Sequence, residues 1–481
     1  MNSKVFLNYL YNLSYEILSL VLPIFSVPYV SRVLGAYQLG KYYYVTAVVT
    51  YFGIFAVLGT VDYGQREIAK RQDDILERSK TFWDVLVFRL FFIFVALIIY
   101  IPVIFFSLAK YRLLYIISII SFVSWACDVS WYFQGMENYK VTALKNGMVK
   151  IAAPILIFVL IKSQNDVWLY TLIYALAGLV GNLTMFPYLK GSIVFLRPNL
   201  KHALGQFTSI FGLFLPVVAI QLYNSLDKII LGQFSTSRQV GYFSQVQIIV
   251  NFCVIFVAAY GGVMTPHISY LYQNGNKRKT IKNYIQSAIK YVYMLAVPMV
   301  IGCLCIGDIF VPVFFGPKYK AAIPTLYILA CLIVVMGMGQ LQGQFLIAIN
   351  RQKYFSFATV SALVINFIIA IVLIVCFHSG ATGTAFATVI SEIVATCIEA
   401  FYLKDISGLG SYFSSFMHYL AFGALIIVPI CIIRIVFNSH LLIIILSLIF
   451  GSICYGVALL ISKDVIILSI IEPFINKFKR K

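Results

Sequence analysis

Charge is what this chain has least of. Asp, Glu, Lys and Arg make up 11% of 481 residues, hydrophobic residues make up 61%, and mean hydropathy is +0.93. A water-soluble core has no use for that much apolar surface, so a soluble globular fold is excluded. Long polar connectors are also missing. The longest, near 61–81 and 266–287, suit short helices or loops and not a soluble catalytic domain. No phosphate-cradling Gly-rich loop pattern appears, which removes an ATP site. The nine Cys (127, 253, 303, 305, 331, 376, 397, 431 and 454) all lie in apolar segments without metal-ligand spacing. They read as small packing residues, not as disulfides or ligands. His267, His378 and His440 sit near the ends of apolar runs and show no ligand spacing either. The first apolar run lacks a small-residue cleavage site, which favours a retained helix over a removable leader.

What is abundant is apolar sequence in lengths that suit a helix crossing a ~30 Å hydrocarbon layer. Fourteen such runs can be marked between residues 10 and 462; the third and fourth are divided only by "AKYR" at 109–112, so twelve or thirteen is the alternative count. The net charge of +19 sits mainly in short connectors, which points to membrane topology instead of nucleic acid. With fourteen spans and an internal N-terminus, 25 of the 36 Lys and Arg fall on the cytoplasmic side, ten fall outside, and Arg89 lies within a span. That bias predicts both termini in the cytoplasm.

Two stretches recur. "SRVLGAYQLGKYYY" (31–44) is echoed by "DKIILGQFSTSRQVGYFS" (227–244), and "FQGMENYK" (from 133) by "LIAINRQK" (from 346). Each pair is six spans apart, an even number, so both copies keep the same orientation. This predicts an all-α membrane protein with two parallel six-helix repeats around a central cavity, at 1–201 and 202–405, followed by two further spans and a basic tail at 406–481.

Polar residues inside the runs fall on stripes. Asn12, Glu16, Ser19 and Pro23 share a helical face, as do Ser121, Ser124, Asp128 and Trp131. Gln221, Asn224, Asp227 and Lys228 follow a kink expected at Pro216, and Gln340 and Gln344 mark the tenth run. For Ser19, Ser121, Ser124, Asn224 and Gln340, hydrogen bonding to a neighbouring helix is the favoured reading. Glu16, Arg89 and Asp128 are ions within hydrocarbon, so a face toward water is favoured over a triad in which Arg89 neutralises the acids. Glu392 and Glu399, two turns apart, either carry protons or pair with cations.

The Tyr-rich first run ending in "PIFSVPYVSRVLGAYQLGKY", the second ending in "YFGIFAVLGTVDYGQREIAKRQDD", and the "WYFQGMENYK" connector resemble the bacterial polysaccharide flippases. These share a superfamily with the multidrug and toxic-compound exporters. The resemblance covers the chain nearly end to end, most strongly between residues 8 and 150. It implies a non-enzymatic flippase of the bacterial cytoplasmic membrane. Such a protein moves undecaprenyl-diphosphate-linked oligosaccharide repeats, its partner molecule, to the outer leaflet by alternating access. It would serve O-antigen, capsule or exopolysaccharide synthesis, without a cofactor and with coupling to a proton or sodium gradient as an option. Other assembly proteins, such as a polymerase, are further expected partners. A cation-coupled drug exporter, a membrane polysaccharide polymerase and a non-transporting scaffold are the alternatives.

In that frame, Arg32 and Lys228 are expected to offer guanidinium and ammonium donors to diphosphate oxygens at the outer mouth, with Asp227 beside them. Lys41 reads as a snorkelling boundary residue. Arg66, in "QREIAKR", belongs to a solvated or lipid-contacting helix, with a first meeting with the diphosphate as the second reading. Trp131 and Tyr132 are expected as interfacial anchors, or as platforms for sugar faces.

Overall fold

The computed structural model describes residues 3–106, 109–273 and 278–468; side chains are described from residue 22 onward, except at 109, 209, 212–217, 219–220, 223–224, 260, 263, 273 and 278. Among the described residues there is no strand. The chain divides into two compact units, Met1–Gly241 and Tyr242–Lys481.

The first unit holds α1 (Ser3–Val57), α2 (Thr60–Ala69), α3 (Ile75–Phe106), α4 (Arg112–Ile117), α5 (Ile119–Ala126), α6 (Ser130–Gly135), α7 (Tyr139–Leu160), α8 (Val167–Leu183), α9 (Leu200–Gly205), α10 (Phe207–Phe234) and the first turn of α11 (Ser237–Gln273). The second holds the rest of α11 with α12 (Arg278–Phe315), α13 (Ile323–Ala348), α14 (Gln352–Ile371), α15 (Gly380–Ser407), α16 (Leu409–Ala424), α17 (Ile427–Val436) and α18 (His440–Ile461).

Twelve helices among the described residues are long and apolar enough to span a bilayer. The sequence count of fourteen differs for two reasons. The first two apolar runs share α1, which is interrupted at Gly35 with φ 74° and ψ 168°, and the seventh lies in α10, where several side chains are not described.

The echo between 133 and 346 reappears as geometry. Asn138 N–H donates to Phe133 O at 2.8 Å and Glu137 N–H to Gln134 O at 3.0 Å; Arg351 N–H donates to Leu346 O at 2.7 Å and Asn350 N–H to Ile347 O at 3.1 Å. These are the paired bonds of a Schellman helix end, with Glu137 (φ 53°) and Asn350 (φ 60°) in the left-handed position where glycine is usual. The motif also closes α18 at Lys463, so it is not itself a repeat signature. Its register is the informative part, because it matches the alignment of the two sequences residue for residue.

Candidate functional site

The polar pocket at one end of the first unit begins with α2. Thr60, Tyr63, Gly64, Glu67 and Ile68 are its buried residues, spaced so that they share one face. That spacing places an acid on the packed side of the helix. Glu67 meets the charge with three cations: Arg66 Nε at 3.2 Å, Lys70 Nζ at 2.8 Å and Arg71 Nη1 at 2.6 Å. The second wall is the start of α3, where Asp74 Oδ1 accepts from the backbone N–H of Leu76 at 2.9 Å and Glu77 at 3.1 Å. One turn deeper, Asp84 Oδ2 lies 2.9 Å from His202 Nδ1 of α9. Asn199 caps α9 by accepting from Lys201 N–H and His202 N–H, and the Tyr63 hydroxyl donates to Gln206 Oε1 at 2.7 Å.

The resulting cavity of about 300 Å³ is bounded by Arg66, Arg71, Lys80 and His202 on one hand and Glu67, Glu77 and Asp84 on the other. Among the described residues the Arg66 terminal nitrogens and Lys80 Nζ donate no hydrogen bond, so they are available to a ligand. Guanidinium and ammonium groups suit phosphate oxygens, and carboxylates accept from sugar hydroxyls. Arg66 was legible as a candidate from its charge run. Lys80, Asp84, His202 and Gln206 were not, because their proximity comes from elements far apart in sequence.

Arg89 requires a correction. It is 1% exposed, and Nε donates to Thr60 Oγ1 at 2.8 Å while Nη1 donates to Asp128 O at 2.5 Å and Trp125 O at 3.5 Å. The Asp128 carbonyl lies where the chain leaves helical geometry between α5 and α6, and it takes its donors from side chains, Arg89 and Trp131. Arg89 therefore secures a helix break in place of lining a wet path. The expected triad is also revised: the Asp128 carboxylate accepts from Ser130 N–H at 3.0 Å and lies 3.3 Å from Lys145 Nζ.

Trp131 is a second correction. At 0% exposed it stacks on Phe82 with centroids 5.4 Å apart, its Nε1 donates to Asp128 O at 3.1 Å, and Gly64 packs directly on its ring. It is neither an interfacial anchor nor open to a sugar. Tyr132 is equally buried, with its hydroxyl 2.6 Å from Ser192 Oγ.

The other expected site residues do not line this pocket. Arg32 is exposed, Lys228 half-buried and Asp227 3% exposed, all within the first unit. Lys41 Nζ lies 4.3 Å from the Tyr37 ring centroid. In the second unit Glu392 is half-buried and Glu399 is 4% exposed, with Oε2 lacking a hydrogen-bond partner. The side chains of Glu16, Asn12, Ser19, Pro216 and Asn224 lie outside the described residues.

Comparison with known proteins agrees with this architecture. A protein of Escherichia coli K12, provisionally described as an O-antigen transporter, is 23% identical over 80% of this chain and 93% of its own. A probable low-salt glycan biosynthesis flippase of Haloferax volcanii is 28% identical, but the match spans only 52% of either chain, about half its length. Among solved structures, the lipid II flippase MurJ in an inward closed conformation superposes with a TM-score of 0.75 over 95% of this chain and 100% of its own, at 15% identity. An inward-facing multidrug transporter of the MATE family gives 0.62 over 85% and 95%, at 16% identity. At those identities the likeness establishes the fold, that of a multi-pass membrane protein. Residues 5–272 match the family described as "Polysaccharide biosynthesis protein", and with more than half its length matched the chain belongs to that family.

Proposed function

We propose that the protein is a flippase for polyprenyl-diphosphate-linked oligosaccharides. It carries them from the inner to the outer leaflet of a bacterial cytoplasmic membrane by alternating access and does no covalent chemistry. The observation that carries this reading is the similarity to an O-antigen transporter over 80% of the chain. The pocket supports it, since Arg66 and Lys80 supply free donors for an anionic headgroup beside carboxylates that accept from hydroxyls.

The positive-inside bias supports cytoplasmic termini, and the paired sequence echoes support two parallel six-helix repeats at 1–201 and 202–405. Arg32 and Lys228 are assigned to the exit of the path, and Glu392 and Glu399 to coupling or charge balance. Reconstitution into liposomes with a defined lipid-linked glycan in one leaflet tests the function. Movement to the opposite leaflet is expected; a protein that leaves the glycan in place, or exports cationic dyes instead, is not this flippase.

A further inference from the structure

Helix α3 stops at Phe106 and the chain turns back into α4 at Arg112, so two candidate spans, Ile75–Phe106 and Arg112–Gly135, end at one boundary. Arg112 closes the turn. Its Nη2 donates at 3.2 Å to the carbonyl of Phe105, one of the acceptors that a helix end leaves open, and its guanidinium carbon lies 5.4 Å from the Phe105 ring centroid. Beyond Gly35 in α1, Tyr37 and Lys41 stand one helical turn apart, and Lys41 Nζ lies 4.3 Å from the Tyr37 ring centroid. The same ammonium is 5.9 Å from the ring of Tyr111, and Lys110 Nζ is 5.4 Å from that ring too. Tyr44 packs edge-on against Tyr111 with centroids 6.1 Å apart, so α1 holds the ring in place.

One tyrosine ring thus gathers two ammonium groups, with a guanidinium on the next residue. Among the described residues none of these three cations forms an ion pair. Like charges held together repel, and aromatic faces offset only part of that. What the cluster lacks is an anion.

Its flank says which kind. Phe106 is 88% exposed, Leu113 58% and Phe105 52%, all at span ends where hydrocarbon begins. A dissolved anion gains nothing from such a surface. A phospholipid does, because its acyl chains lie along the apolar side chains while its phosphate reaches basic and aromatic groups at headgroup level.

We propose that Lys41, Lys110 and Arg112 form a headgroup site for an anionic glycerophospholipid, its phosphodiester drawn to the cations held over Tyr37, Tyr111 and Phe105, its acyl chains on the apolar flank. The bound lipid ties the α3–α4 turn to the second arm of α1. The cation asymmetry along the chain makes the leaflet the outer one. The site does not rest on the flippase reading.

Native mass spectrometry of the purified protein, titrated with dioleoylphosphatidylglycerol or with zwitterionic dioleoylphosphatidylcholine, tests the charge preference. The anionic lipid is expected to bind at least about tenfold more tightly, and Lys41→Gln/Lys110→Gln to lose most of that advantage. Lys318→Gln/Lys320→Gln, which removes two exposed lysines of the second unit, should keep it. Equal affinity for the two lipids, an advantage that survives Lys41→Gln/Lys110→Gln, or equal loss in both double variants overturns the site. A second measurement needs no substitution. In proteoliposomes, phosphatidylglycerol with a photoreactive acyl chain should cross-link to peptides containing Phe105, Phe106 or Leu113, and labelling confined to other peptides overturns the proposal. Added polyprenyl diphosphate should leave that labelling in place; its displacement would make this a cargo site and not a membrane-lipid site. Both readouts are taken without transport, so they hold whether or not the protein moves glycan lipid.

Discussion

Arg89 holds Asp128 by its main-chain carbonyl, at 2.5 Å, and not by its carboxylate, which faces Lys145. The distinction separates two mutants that look equivalent on paper. Arg89→Ala leaves Trp131 Nε1 as the side-chain donor to the Asp128 carbonyl, takes the guanidinium from Thr60 Oγ1, empties a buried site and should destabilise the protein by about 2–5 kcal/mol. Asp128→Asn keeps the carbonyl and should cost about 1 kcal/mol, most of it the pairing with Lys145. Thermal unfolding of the purified variants checks this; equal losses would show that the two side chains act as an ion pair after all.

Glu67 is the hub of the pocket wall, where Arg66, Lys70 and Arg71 converge on one carboxylate. Glu67→Gln removes the charge that organises them and should lower stability by about 1–3 kcal/mol. Arg66 lines the cavity. Arg66→Gln should therefore weaken retention of lipid-linked glycan by about tenfold while lowering the melting temperature less than Glu67→Gln does, because Lys70 and Arg71 still neutralise Glu67. Binding measured beside unfolding separates the two effects.

Arg32 is exposed and Lys228 half-buried. Charge reversal at either should abolish translocation of a diphosphate-linked glycan and leave membrane insertion intact. Normal export by such variants would remove both residues from the transport path.

An anionic cargo leaving an interior-negative compartment gains roughly 2.3 kcal/mol per charge per 100 mV if it crosses the full field. Liposomes poised with a potassium gradient should flip faster when the cargo side is negative. A rate indifferent to the sign of the potential would mean that the carried charge is neutralised in transit.

Trp131 shows how far sequence position alone can mislead. It stands in a "WYFQG" stretch next to a connector, where interfacial aromatics are common, yet it stacks on Phe82 under Gly64 and is closed to solvent. Periodicity placed it on a polar stripe with Asp128. It carried no information about which neighbour covers that stripe. The Asp84–His202 contact is the opposite case: neither residue was suspect, and the pocket exists because α9 returns to the start of α3.

Hydrophobic run length, the scarcity of charge and the lopsided distribution of cations are local quantities. They are enough to require many spanning helices, because an unbonded backbone is intolerable in hydrocarbon. The internal echo of "FQGMENYK" in "LIAINRQK" is likewise visible in the sequence, whereas the hydrogen-bond register that their turns share is seen only in the structure. Which buried ion meets which partner was decided only in three dimensions. Arg89 reaches across 39 residues to a broken helix end, and Gly40 meets Gly241 across two hundred. Such contacts depend on helix rotation and packing distance, which set energies as steeply as burial does and leave no periodic trace along the chain.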